Sequence, residues 1–147
     1  MYYNCKVKHN EKGQMTEMAD YDGTDNLMRK SGVKTWSPEG LPAEVETYDQ
    51  QGNKVSRTTS RYEGYFLTYQ CIYTDEANPY YEWKYTKNEM GNVSEVNMGG
   101  SAFEGTVKLI HAYYEKYDDN KNWIEKRDIV EDDSTQITIT YRTIKYY

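Results

Sequence analysis

Apolar and aromatic residues recur at alternate positions along this chain. Ile137, Ile139 and Tyr141 alternate with Gln136, Thr138, Thr140 and Arg142, and Tyr81, Trp83 and Tyr85 alternate with Glu82, Lys84 and Thr86. Side chains of a strand point to opposite faces in turn, so this period of two predicts half-buried β-strands. Turn formers interrupt the pattern at intervals of about ten residues, as successive hairpins require. The strands fall at 2–8, 14–21, 33–36, 43–48, 54–62, 65–73, 80–87, 93–98, 106–117, 123–130 and 136–147. In 106–117, Leu109, Ala112 and Tyr113 fit a helix face, whereas Val107, Leu109, His111, Tyr113 and Tyr117 fit a period of two; strand is the better reading. The predicted fold is all-β: an antiparallel meander of hairpins forming a repetitive open twisted sheet or a partial barrel, one domain over 1–147.

Three of the turns share one pattern. Asn10-Glu11-Lys12-Gly13, Asp49-Gln50-Gln51-Gly52 and Asn88-Glu89-Met90-Gly91 each begin with Asn or Asp, end with Gly, and follow one another at 39 residues. Asn or Asp at the first position can hydrogen-bond the backbone ahead of it, and Gly at the fourth can take positive φ, which builds a hairpin loop with a left-handed closing residue. Asn10, Asp49 and Asn88 with Gly13, Gly52 and Gly91 are therefore structural turn residues. A 39-residue repeat accommodates about four strands, which places equivalent turns on one edge of the sheet. Asp118-Asp119-Asn120-Lys121 follows only 30 residues later with Lys in place of Gly, so it reads as a shortened terminal repeat or a different loop. Ser37-Pro38-Glu39-Gly40 reads as a type I turn.

Composition changes this picture in one respect. Ile, Leu, Val and Phe make up only about one residue in seven, a level at which disorder competes with folding. The 17 Tyr and 3 Trp supply the missing apolar area on rings that suit a pleated surface, and the net charge of −6 is modest. A thin sheet with little aliphatic core follows. The acidic balance and the scatter of Lys and Arg argue against a nucleic-acid partner. No apolar run reaches the length of a transmembrane segment, and Met1-Tyr2-Tyr3 lacks the features of a secretory signal. A strand that starts at Tyr2 is an abrupt beginning, and predicts a leader removed ahead of Met1, where a lipid anchor would sit.

Tyr48-Asp49-Gln50-Gln51-Gly52-Asn53 and Tyr117-Asp118-Asp119-Asn120-Lys121-Asn122-Trp123 resemble the Tyr-Asp, or Rhs-type, repeat of small secreted or lipid-anchored proteins of Gram-negative bacteria. The likeness to Tyr-Asp-x-x-Gly-Asn-aromatic weakens at Gly91-Asn92-Val93 and Gly13-Gln14-Met15, which lack the Tyr-Asp pair. The resemblance implies an extracytoplasmic antiparallel β architecture, in the periplasm or at the outer-membrane surface, and carries no catalytic residues.

Candidate chemistry is sparse. His9 and His111 lack the spacing of a metal site or a Cys-His pair and read as structural. Cys5 and Cys71 either form one disulfide or are two small apolar residues. No two of the 24 carboxylates stand out as a glycosidase pair, and Met98-Gly99-Gly100-Ser101 lacks the length and the Lys of a phosphate loop. No cofactor and no metal are implied. Aromatics carry what signal remains: Tyr80, Tyr81, Trp83 and Tyr85 cluster in one segment, and Tyr113, Tyr114, Tyr117 and Trp123 in another. Tyr81, Trp83, Tyr85, Tyr113, Tyr117 and Trp123 are the candidate ligand-binding residues, with cross-strand packing as the alternative role. The reading is a non-enzymatic extracytoplasmic binding or structural module whose aromatic face takes a protein or glycan. Two alternatives stay open: a small acidic immunity or antitoxin-like protein covering a basic enzyme, and a glycoside-active enzyme with a carboxylate pair.

Overall fold

A computed structural model describes residues 4–75, 77–104, 107–131 and 133–145, with the side chains of 133–135 left aside. Eleven antiparallel strands form one open sheet in strict chain order. They are β1 (Asn4–His9), β2 (Met15–Tyr21), β3 (Leu27–Trp36), β4 (Pro42–Asp49), β5 (Lys54–Glu63), β6 (Phe66–Tyr73), β7 (Pro79–Lys87), β8 (Val93–Gly99), β9 (Lys108–Tyr117), β10 (Trp123–Val130) and β11 (Asp133–Tyr141). Among the described residues the only helical element is a 3-10 turn, Ser101–Phe103, and no helix is long and apolar enough to cross a membrane. The meander is as predicted, and the sheet is not closed. The predicted strand ends at Tyr2, Thr106 and Tyr147 lie outside the described residues.

One loop design recurs at six of the hairpins, the three-residue type with a left-handed fourth position. In the loops opening at Asn10, Asp22, Ser37, Asp49, Asn88 and Asp118, the first residue's N–H donates to the fifth residue's carbonyl and the fourth residue's N–H returns to the first residue's carbonyl, at 2.8–3.1 Å throughout. Where the first residue is Asn or Asp, its Oδ1 also accepts the N–H groups of the third and fifth residues, as Asp49 does from Gln51 (2.9 Å) and Asn53 (2.8 Å). The fourth position has positive φ in all six: Gly13, Asp25, Gly40, Gly52, Gly91 and Lys121. The loop at Asp118 is thus the same loop, not a different one. The 39-residue spacing, however, spans three strands rather than four: β2 to β4, then β5 to β7. An odd number of strands reverses direction, so the turns at Asn10, Asp49 and Asn88 alternate between the two edges instead of sharing one.

Register fixes two unlike faces, because directly paired residues share a side. On one face Glu17 pairs with Gly32, Glu46 with Arg57, Arg57 with Tyr73, Cys71 with Glu82, and His111 with Ile129. On the other, Met18 pairs with Ser31, Val33 with Val45, Thr58 with Ile72, Ile72 with Tyr81, Trp83 with Met98, and Val96 with Ile110. The first is a charged face and the second an apolar face.

Among the described residues no second sheet or helical layer covers either face. Among the described residues only two hydrophobic side chains are buried, Ala19 and Cys71. The solvent-accessible surface is 10232 Å². A compact globular chain of 17.4 kDa exposes about 7,900 Å². The excess is the signature of a one-layer sheet, in which each strand packs on its sequence neighbours and β7 also meets the 3-10 turn.

Candidate functional site

Ion pairs lace the charged face. Glu17 bridges Lys8 (2.9 Å) and Lys30 (2.6 Å), Glu46 bridges Lys34 (3.0 Å) and Lys54 (3.5 Å), and Arg127 holds Glu115 (2.7 Å). Between these ladders Arg57 lies over the Tyr73 ring (4.5 Å) and Arg61 over Tyr69 (4.9 Å), both directly paired across β5 and β6. Such contacts contribute of order 0.5–1 kcal/mol each at exposed sites and orient long side chains across the strands. Beneath Tyr69 and Tyr73 sits Cys71, with no exposed surface. Burial and then the Cys71 thiol push the Tyr69 phenol well above its ordinary value, while for Tyr73 the thiol acts first and burial second.

Carboxylates with displaced titration are displaced downward. The Tyr48 hydroxyl (2.5 Å) and Lys34 hold Glu46 at about 2, and the Thr24 hydroxyl with the Asn26 and Thr24 amides holds Asp22 at about 2. Glu17, Asp20, Asp49 and Asp75 are lowered by their own hydrogen-bond partners. These are fixed anions. A glycosidic general acid requires the opposite displacement. No group of three His, Cys, Asp or Glu among the described residues is placed to hold a metal ion. His9 and His111 lie on β1 and β9, eight strand spacings or roughly 38 Å apart, and His111 Nδ1 faces Glu95 at 3.4 Å. Cys5 and Cys71 are free thiols, five strand spacings or roughly 24 Å apart on opposite faces, so they form no disulfide with each other.

The apolar face holds the remaining candidate surface. Tyr81, Trp83 and Tyr85 project together from β7, paired with Ile72, with Gln70 and Met98, and with Val96. Tyr81 stacks on Trp83 (centroids 5.3 Å, 26° between planes), and the 3-10 turn brings Phe103 edge-on to Tyr81 at 5.7 Å. Val96 and Ile110 continue the surface to Tyr114, whose ring lies 5.7 Å from Trp123 and whose hydroxyl donates to the Val93 carbonyl (2.6 Å). Burial raises the Tyr85 phenol, and burial with the Asp128 charge raises that of Tyr114. Toward β1 the surface becomes a shallow groove of Met18, Ser31, Val33, Val45, Thr58 and Gln70. The charges on this face are few, and those of Asp20 with Arg29 (2.6 Å) and Lys126 with Asp128 (2.7 Å) are paired.

The six predicted ligand residues are therefore not one cluster. Tyr81, Trp83 and Tyr85 stand together. Trp123 sits at the far end beside Tyr114, is paired with Tyr117, and is covered by the Arg142 guanidinium at 3.9 Å. Tyr113 is on the charged face opposite Arg127, 47% exposed. Tyr114 and Phe103, absent from the predicted ligand set, belong to the apolar surface instead. Parity along β9 was a signal for Tyr114; Phe103 lies in a loop where no periodicity reaches.

The chain matches no protein-family model and no curated protein sequence. The fold and the two faces alone define the class: a one-layer antiparallel sheet with a self-paired charged face and an open apolar one.

Proposed function

We propose that this protein is a non-enzymatic binding module of the extracytoplasmic space, and that its apolar face receives a protein or glycan partner. The observation that carries this reading is the asymmetry of the two faces. Charges on one are held in ion pairs, whereas the other offers stacked, half-buried Tyr81 and Trp83 with only the Phe103 turn packed against them. Offset aromatic rings bind sugar faces and apolar side chains through one geometry, and a half-buried aromatic surface of this kind suits such a partner. The compartment rests on the Tyr-Asp resemblance, and fractionation of cells carrying the native protein tests it.

Tryptophan fluorescence titrated with soluble oligosaccharides, beside 1-anilinonaphthalene-8-sulfonate as an apolar probe, tests the face directly. Trp83→Ala should abolish the response and leave the thermal midpoint nearly unchanged. A stability loss of about 3–5 kcal/mol in that variant, as for a core aromatic, would mean that the cluster exists for packing.

A further inference from the structure

The two outer strands of the sheet differ in kind. An edge strand presents unpaired backbone groups, and natural edges are guarded by charge, proline or bulges. β1 is guarded: Lys6 and Lys8 lie on the charged face, paired with Ala19 and Glu17. β11 is guarded only at its start, by Asp133 and by the register irregularity between Asp133 and Ile137. From Ile137 to Tyr141 there is no charged residue, no proline and no irregularity, and Ile137, Ile139 and Tyr141 are 48%, 50% and 69% exposed.

Backbone direction makes this edge specific. The Arg142 N–H donates to the Ile124 carbonyl (3.1 Å), and Thr140 pairs with Lys126. Alternate residues of an antiparallel strand turn their N–H and C=O to opposite sides, so Thr138 and Thr140 bond inward while Ile137, Ile139 and Tyr141 present theirs outward. The same three side chains share the face of Arg127 and Ile129.

We infer that β11 is a homotypic docking edge, through which two copies of this chain join antiparallel about a two-fold axis at Thr138. That register pairs outward groups with outward groups and sets Ile137 opposite Ile139 of the partner subunit. Setting these two half-exposed aliphatic side chains against each other removes apolar area from water. The competing arrangements are worse: β1 on β1 sets lysines together, and β1 on β11 sets lysines against isoleucines. Nearby charges do not oppose the contact, since Lys116 pairs with Glu125 (2.5 Å) and Arg127 with Glu115. A two-fold contact is also closed, leaving only the lysine-guarded β1 edges free and stopping assembly at two.

Sedimentation of the full chain over the micromolar range should give twice 17.4 kDa at the upper end. Ile139→Lys should return the monomer mass with an unchanged far-UV spectrum, and Ile139→Val should keep the dimer. Hydrogen exchange supplies a readout without substitution: the Ile137 and Ile139 amides should be protected in concentrated parent protein and lose that protection on dilution. A parent that stays monomeric throughout, or an Ile139→Lys variant that folds and remains dimeric, overturns the inference. So does a ladder of growing species, which would show head-to-tail pairing of β11 with β1.

Discussion

Lys121 offers a direct test of the loop design. It occupies the left-handed fourth position at φ 63, where Gly52 stands at φ 85 and Gly91 at φ 79. Its hydrogen bonds are those of the glycine loops: Lys121 N–H to the Asp118 carbonyl at 3.0 Å, and Asp118 N–H to the Asn122 carbonyl at 2.9 Å. A residue with a Cβ loses about 1–2 kcal/mol in this conformation relative to glycine. Replacing it by glycine recovers that amount, less about 0.4–1 kcal/mol for the added freedom of the unfolded chain. Lys121→Gly should therefore stabilise by about 0.8 kcal/mol. With a melting entropy near 0.3 kcal/mol per degree for a chain of this length, the midpoint rises by about 2–3 °C.

The reverse substitutions use the same reasoning. A Cβ built on Gly52 or Gly91 meets nothing within 4 Å, so no steric term enters and the cost is conformational alone. Gly52→Val and Gly91→Val should each lose about 1–3 kcal/mol, branching adding to the penalty. Equilibrium denaturation of the three variants beside the parent is the assay. Neutral valine variants, or a destabilised Lys121→Gly, would refute the claim that these loops share one energetic design.

Three other outcomes follow from the same geometry. Gly100→Ala should cost more than any of the loop glycines, because at φ 111 its Cβ would sit 2.5 Å from the Tyr80 carbonyl oxygen and 2.9 Å from its carbon; a melting shift no larger than that of Gly52→Ala would contradict this. Acid should destabilise the protein in a defined window. Glu46 and Asp22 titrate near 2 when folded and near 4.5 and 3.8 otherwise, so their contribution is complete above those ordinary values and disappears as pH falls toward 2. Melting curves should be flat above pH 5 and fall below it, with a shallower fall in Glu46→Gln. Alkylation of the native protein should mark Cys5 and spare Cys71, one adduct by mass against two after denaturation; two adducts in the native state would place Cys71 outside its Tyr69 and Tyr73 cover.

Turn chemistry made most of the fold legible, because in this chain the loop residues do what a core does elsewhere. Asx residues and glycines at fixed offsets announce the hairpins whatever lies between them. The loop at Asp22 was harder to read, since its left-handed position is Asp25 and its glycine sits two places earlier. The first residues of β3 were unreadable for a different reason. In Leu27-Met28-Arg29-Lys30 charged and apolar residues do not alternate, as Arg29 faces Asp20 on one side and Lys30 faces Glu17 on the other. At this end of β3 a charged residue lies on each face, so the period does not show in the sequence. The aromatic surface was half legible: β7 keeps its parity, so Tyr81, Trp83 and Tyr85 were found together. In β9 the pairing shifts where Glu125 meets Lys116, and this irregularity carries Tyr117 to the side of Tyr114 and Trp123, away from Tyr113.

The same observations explain how so little aliphatic material can specify a sheet this wide. With Ala19 and Cys71 as the only buried hydrophobic residues described, burial cannot select the register, and a one-residue slip would move no core out of place. Specificity has to come from elements that a slip destroys. The six loops fix six of the ten connections at their turns, and the pairs that straddle neighbouring strands, Arg57 with Tyr73, Glu17 with Lys8 and Lys30, Arg127 with Glu115, are correct in one register only. This division leaves the opposite face with few charges, among them the pairs Asp20 with Arg29 and Lys126 with Asp128. An apolar surface that is not needed to choose the fold is available for a partner, and that availability connects the loop chemistry of this chain to the function proposed for it.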